Sequence, residues 1–274
     1  MAGPDGAGAP EVVTGVAVVT GAARGIGAAV TRQLAARGWA VVALDRCADD
    51  PALSYPLATR ADLDATVRSC AAPERVLGMV ADVRDQEKLS AAVATAVRRF
   101  GRLDAAVGVA GVLSGGGPLW ETTDEQLRTM LDVDIVGVYR LARAAVPALL
   151  SSPPPRHGRF VAVASAAGSR GLPRLAAYCA AKHAVVGLVR GLAADLRGTG
   201  ITANAVSPGS TDTELLAESA RIYGLPAAGA FAGQHLLERL LTADEPAALI
   251  TWLCSREASG LTGADVPVDA GLTV

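Results

Sequence analysis

The chain has 274 residues, 51% hydrophobic and 19% charged, with a formal net charge of −2 at pH 7. That is enough apolar material for one large core, and the near-neutral balance gives no electrostatic footprint for nucleic acid or an anionic membrane surface. No run approaches the roughly 18 consecutive apolar residues of a membrane span.

Met1 to Pro10 is rich in Gly, Ala and Pro and lacks the basic-then-apolar order of a signal peptide. Residues 1–13 are therefore expected to be a disordered tail of a cytoplasmic protein, and 14–274 one α/β domain. The apolar run Gly15 to Val19 predicts the first strand. It is followed at once by Thr20-Gly21-Ala22-Ala23-Arg24-Gly25-Ile26-Gly27 and an Ala/Leu-rich helical pattern to Arg37. Strand, glycine turn and helix come in the order a dinucleotide needs. Gly21, Gly25 and Gly27 let the backbone turn tightly, approach a pyrophosphate and pack the helix on the sheet, with Ala23, Arg24 and Ile26 between them. The next buried strand, 40–44, ends at Asp45. A carboxylate there bonds ribose hydroxyls and repels a 2′-phosphate, which favours NAD over NADP. Arg24 and Arg46 pull the other way, since either could reach such a phosphate.

Between Asp45 and the strand at 75–80 lie about thirty residues, where ordinary connections run to a few. Thr59-Arg60-Ala61-Asp62 fits an N-cap with an acid in the first turn, opening a helix from Arg60 to Cys70. Residues 46–72 thus read as a surface insertion beside the adenosine ribose. Strands at 103–109, 159–164, 201–206 and 265–268 alternate with helical patterns, which predicts a doubly wound, seven-stranded parallel sheet covered by helices on both faces. Thr123 to Gln126 and Thr242 to Glu245 match capping boxes. Cys47, Cys70, Cys179 and Cys254 show no C-x-x-C spacing and are expected to be free thiols. His157, His183 and His235 are too scattered for a metal site.

The chemistry concentrates in the second half. Tyr178 and Lys182 are one helical turn apart and share a face. A tyrosine ionises near pH 10, and an adjacent ammonium favours its phenolate. Ser165 closes the buried-strand run Phe160 to Ala164, at the strand end where ligands sit in open α/β sheets. It is placed to hold a substrate oxygen against the tyrosine. Asn204-Ala205-Val206-Ser207-Pro208-Gly209 is a strand followed by a Pro-Gly turn, with Thr211 and Thr213 placed to meet a nicotinamide carboxamide.

In this combination the chain resembles the short-chain dehydrogenase/reductase family over about residues 14 to 274. The resemblance implies a Rossmann fold, a bound nicotinamide cofactor and interconversion of an alcohol and a carbonyl. It makes Tyr178 the general acid/base, with Lys182 lowering its pKa and holding the nicotinamide ribose while Ser165 orients substrate. Asp82 and Val83 match the pair along the adenine. Two departures stand out. Gly108-Val109-Ala110-Gly111 replaces the usual Asn-Asn-Ala-Gly, leaving Ala110 and Gly111 in the cofactor set, and Asp134 stands where many members carry a catalytic asparagine. An asparagine side chain donates and accepts hydrogen bonds, whereas an ionised aspartate only accepts. Asp134 is either part of the catalytic relay through its main chain or a helix-kink residue with no kinetic part.

The Tyr55-Pro56-Leu57-Ala58-Thr59 segment of the insertion resembles the mycofactocin-coupled dehydrogenases of actinobacteria. That implies NAD held under a lid and re-oxidised in place by a redox carrier; the alternative is a freely exchanging NAD enzyme. Family position makes 212–240 a substrate lid. Candidate pocket residues are Leu113, Trp120, Ala167, Leu172, Leu175, Ser210, Tyr223 and Phe231, a wall suited to a hydrophobic secondary alcohol or ketone. The competing readings are an NADPH-dependent ketoreductase of secondary metabolism and a catalytically inactive NAD-binding interaction module. The resemblance, with the apolar run 247–274, points to a homotetramer.

Overall fold

The computed structural model describes residues 13–274, so all of the expected tail except Val13 lies outside the described residues. Seven strands form one sheet: β1 (Val16–Thr20), β2 (Ala40–Asp45), β3 (Val76–Val80), β4 (Ala105–Gly108), β5 (Arg159–Val163), β6 (Thr202–Pro208) and β7 (Asp265–Val268). Every pairing is parallel, and the order is β3-β2-β1-β4-β5-β6-β7. The chain therefore winds outward from β1 in one direction and from β4 in the other, with the reversal between them.

The strands carry β-branched and small apolar residues because both faces of the sheet are covered. Along β1 the side chains alternate. Val16 and Val18 enter a core shared with Leu103, Leu141 and Phe160, while Ala17 and Val19 enter a second core with Val30, Leu34 and Ile250. Full burial of side chains of this kind is worth roughly 1.5–3 kcal/mol each. The covering helices are α1 (Gly25–Ala36), α2 (Arg60–Arg68), α3 (Gln86–Phe100), α4 (Asp124–Met130), α5 (Gly137–Ser151), α6 (Ala176–Asp195), α7 (Glu214–Tyr223) and α8 (Asp244–Leu253). Among the described residues no helix is long and apolar enough to cross a membrane.

Local rules account for most boundaries. Thr59 and Asp62 form a reciprocal capping box at the start of α2, and Thr123 and Gln126 form another at α4. The Thr242 box closes differently. Helix α8 starts at Asp244 with Ala243 at its N-cap, and the Glu245 carboxylate accepts the Thr242 N–H at 2.9 Å while Arg239 grips it from the side. Helices α4 and α5 are joined by a π-helical turn, Leu131–Val136, which contains Asp134. Such a turn inserts an extra residue into the helix and commonly marks a functional position. After β6 the chain forms α7 and then a 3-10 stretch, Ala228–Gln234, separated by Gly224 in the left-handed region.

Parallel strands send all their carboxyl ends to one edge. Thr20, Asp45, Gly108, Val163 and Pro208 end there, and the loops that follow them enclose one cleft.

Candidate active site

The cleft opens over the turn between β1 and α1. Gly21 has φ +66°, and a Cβ there would lie 2.8 Å from the Ala110 backbone; a Cβ on Gly27 would lie 2.0 Å from the Gly21 carbonyl oxygen. Glycine is therefore required for the turn to close on itself and on the β4 loop. Arg24, at the N-cap of α1, is extended and makes no capping bond, and the first turn holds no acid. The helix N-terminus thus keeps its electropositive end free of side chains, an arrangement that fits a pyrophosphate. Gly21, Arg24, Gly25, Ile26 and Gly27 all line the cleft. Ala23 does not: its N–H donates to the Asp45 carboxylate at 3.1 Å and its carbonyl accepts from Thr66, so it acts by orienting Asp45.

Asp45 faces the cleft at the end of β2, and its second oxygen accepts the Cys47 N–H. Both arginines that could receive a 2′-phosphate are occupied. Arg24 donates to the Pro56 carbonyl at 3.0 Å. Arg46 is paired with Asp50 and lies 3.4 Å from Asp82, while Arg84 binds the same two acids at 2.9 and 2.7 Å. The paired arginines hold the Asp50 and Asp82 carboxyls below their ordinary pKa against the opposing effect of burial. Asp82 and Val83 line the cleft beside this network.

Tyr178, Lys182 and Ser165 converge on the floor. The 3-10 turn after β5 fixes Ser165, whose Oγ accepts the Ala167 N–H at 3.1 Å and which lies beside the Tyr178 phenol. Lys182 and Tyr178 lie on one face of α6, with Nζ 5.5 Å from the phenol ring centroid. Nζ also donates to the Val163 carbonyl at 3.3 Å and lies 3.0 Å from Asp134 Oδ1. Asp134 is fully buried. Burial is the largest influence on the Tyr178 phenol and raises its pKa; Lys182 and Ser165 act against this, and Asp134 reinforces it. The attraction expected from Lys182 is present, then, but it does not win. Burial likewise raises the Asp134 carboxyl, against Lys182, whereas Asp134 and Tyr178 raise Lys182 against its own burial.

The cleft has a volume of about 700 Å³. Ala110, Gly111, Pro208, Gly209, Thr211 and Thr213 line it, as do Leu113, Leu172, Leu175, Ser210, Tyr223 and Phe231. Two expected wall residues are elsewhere. Trp120 sits on a 3-10 turn, Leu119–Glu121, that faces outward, and it is 84% exposed. Ala167 is fully buried beneath α6, where its N–H anchors Ser165. The four cysteines are free thiols, and Cys179, next to the tyrosine, uses its sulfur to accept the Leu172 N–H.

Two cleft contacts had no sequence signal. The Tyr55 hydroxyl, in the insertion, accepts the Leu113 N–H at 2.9 Å, which ties the insertion across the cleft to the β4 loop. Nearby, Ser54 donates to Glu218 at 3.1 Å and accepts from Arg221 at 2.7 Å, which ties it to α7 as well. His235, buried beyond the 3-10 stretch, accepts the Ser210 N–H on Nε2 at 3.1 Å and so pins the loop after β6. Both partners are far away in the chain, and although Tyr55 opens the Tyr55-to-Thr59 motif, nothing in that motif specifies a bond to Leu113.

Comparison with known proteins places this geometry. A family model described as Enoyl-(Acyl carrier protein) reductase matches residues 21–273. The chain is 40% identical to a protein of Mycobacterium tuberculosis described as an uncharacterized NAD-dependent oxidoreductase, over 93% of this chain and 94% of the relative. It is 34% identical to (-)-trans-carveol dehydrogenase of Rhodococcus erythropolis, over 94% and 97% of the two chains. Among solved structures, carveol dehydrogenase from Mycobacterium avium in complex with NAD superposes with a TM-score of 0.89 at 34% identity, over 96% of this chain and 98% of that one.

The glycine turn yields a direct test. Gly27→Ala forces the Gly21 carbonyl to move and is expected to lower the midpoint of thermal unfolding clearly. Gly229→Ala, where a Cβ would meet nothing within 4 Å, is expected to leave it in place. Equal midpoints for the two variants would show that the turn tolerates a side chain.

Proposed function

Because this chain belongs to the short-chain dehydrogenase/reductase family, we propose that it is an NAD-dependent oxidoreductase interconverting a hydrophobic secondary alcohol and its ketone. The observation that carries this reading is the convergence of Ser165, Tyr178 and Lys182 between the glycine turn and an apolar wall. NAD, when bound, supplies the hydride acceptor. The residues of the chain do the rest. Gly21, Gly25 and Gly27 give the pyrophosphate room at the start of α1, and Asp45 receives the adenosine ribose. Lys182 receives the nicotinamide ribose, and Thr211 and Thr213 meet the carboxamide. Ser165 holds the substrate oxygen, and the Tyr178 hydroxyl takes that oxygen's proton in oxidation or returns it in reduction.

The occupied state of Arg24 and Arg46 supports NAD over NADP, and with it the dehydrogenase over the NADPH-dependent ketoreductase. The intact Ser165-Tyr178-Lys182 set speaks against an inactive binding module. Leu113, Leu172, Leu175 and Phe231 favour an apolar substrate, in keeping with the carveol dehydrogenase that the chain resembles.

The insertion suggests that NAD is retained. Through Tyr55, Pro56 and Ser54 it is fastened to the β4 loop, the glycine turn and α7, and Tyr55, Leu57 and Ala58 line the cleft. A cover of this kind slows dissociation more than it speeds association. Turnover then requires a second redox carrier of the mycofactocin type to re-oxidise the cofactor in place. The chain works in the cytoplasm as a homotetramer; the exposed apolar residues Leu119, Trp120, Leu127, Tyr139, Leu236 and Leu237 support burial against further copies.

Tyr178→Phe is expected to keep cofactor binding while turnover of a hydrophobic secondary alcohol falls by about 10²–10⁴-fold; turnover within about tenfold of wild type removes Tyr178 from the proton-transfer role. Native mass spectrometry of protein dialysed without cofactor is expected to show NAD on each subunit, with repeated turnover only when an artificial electron acceptor is added. Cofactor-free protein that is fully active on added NAD defeats the retention reading. Light scattering at micromolar concentration is expected to give the mass of four chains, and a monomer peak refutes the tetramer.

A further inference from the structure

Asp134 is the acid that touches the proton-transfer pair. Its Oδ1 lies 3.0 Å from Lys182 Nζ inside a region closed to solvent, and its Oδ2 lies 3.5 Å from the Val112 N–H. Gly111 lies against both charges: a Cβ there would sit 2.7 Å from Asp134 Oδ1 and 3.2 Å from Lys182 Nζ. The π-helical turn carries Asp134 into this position, so the contact is built by backbone geometry as well as by charge.

The charge count is simple. With a neutral residue at 134, ionising Tyr178 beside Lys182 would leave a neutral buried pair. With an ionised Asp134 already compensating Lys182, the same ionisation leaves a net negative charge in a medium that solvates it poorly. The titratable and charged groups around Tyr178 are Lys182 and Cys179 of its own helix and Asp134 of the π-helical turn. Ser165, at the end of β5, faces it as a neutral hydroxyl. Asp134 also acts on the buried Tyr55 phenol of the insertion, and Tyr223 and Glu214 of α7 and Arg170 line the same cleft.

We propose that Asp134 is a positioning residue that cancels the charge of Lys182, so that Tyr178 keeps its proton at neutral pH and the site is set to give a proton to a ketone oxygen. Taking one from an alcohol then requires more alkaline conditions. In the reduction, the Tyr178 hydroxyl would give its proton to the substrate oxygen, the hydride for the carbonyl carbon being what reduced NAD would supply when bound. Asp134 and Lys182 exchange no proton with substrate. This inference rests on the oxidoreductase reading, but its central measurement does not require a substrate.

The chain has four tyrosines. Ultraviolet titration of tyrosinate in wild type and Asp134→Asn, each compared with its Tyr178→Phe counterpart, isolates the Tyr178 component. That component is expected about one pH unit or more lower in Asp134→Asn than in wild type, the range that a neighbouring charge produces. A component missing from the wild-type titration counts as lying above its upper limit. The pH of half-maximal alcohol oxidation is expected to fall by a similar amount. A smaller shift, none, or an upward one overturns the proposal. Should Asp134→Asn fail to fold, Asp134→Ser removes the same charge with a smaller side chain and is judged by the same outcomes. Active enzyme with no titration shift ends the proposal alone. A clear shift in a protein that oxidises no secondary alcohol ends the functional reading instead and leaves the charge assignment standing.

Discussion

A sheet whose strands all run in the same direction places every carboxyl end along one edge, and the rest of this molecule follows from that constraint. Each return must cross a face of the sheet, so both faces are covered and the strands become apolar throughout. Polar residues are then displaced to the loops that leave the strands. Here those loops bring Asp45, Asp82, Ser165 and the Pro208-Gly209 turn to one cleft, although more than half the chain separates the first from the last. The reversal between β1 and β4 leaves no helix over that point, which is why the glycine turn and the Ala110-Gly111 backbone can approach each other so closely.

The floor of the cleft is costly to build. Placing the Lys182 ammonium and the Asp134 carboxylate together away from water stabilises a fold little, because desolvation offsets much of their attraction. The pair is met by backbone instead, with the Val163 carbonyl accepting from Lys182, the Val112 N–H facing Asp134 and Gly111 lying against both. A charged group kept there has its main effect on its neighbours, and its nearest ionisable neighbour is Tyr178.

How much of this was legible in the sequence follows from the range over which each signal acts. Local signals survived: the short continuous apolar runs became strands whose ends differ from expectation by about two residues at most, and the Thr59 and Thr123 capping boxes formed where expected. The Thr242 box formed only in its acid half: Glu245 accepts the Thr242 N–H, but the Glu245 N–H goes to the Thr242 carbonyl and not to its hydroxyl, and the helix starts one residue later. The Tyr178–Lys182 spacing is one helical turn, so its face was fixed by the sequence interval itself. The direction of the tyrosine's pKa was not, since it depends on burial and on Asp134, which arrives from another helix. Trp120 was misplaced because an aromatic residue in a loop reads the same whether it faces a pocket or solvent. The contacts of Tyr55 and His235 went unread because each acts on a main-chain N–H far away in the sequence, and such an N–H carries no side-chain identity.

Asp50 shows how tightly two properties are joined. Its carboxylate pairs with Arg46 and Arg84 and also accepts the Ala52 N–H at the first bend of the insertion. The carboxylate that occupies Arg46 is thus the one that shapes the first bend of the insertion. A designer seeking to change the nucleotide accepted by this scaffold would have to free Arg46, and freeing it by removing Asp50 also removes the acceptor of the Ala52 N–H at the bend. Nucleotide choice and cover stability are therefore not separate engineering variables in this chain, and any exchange of one must include a rebuilt anchor for the other.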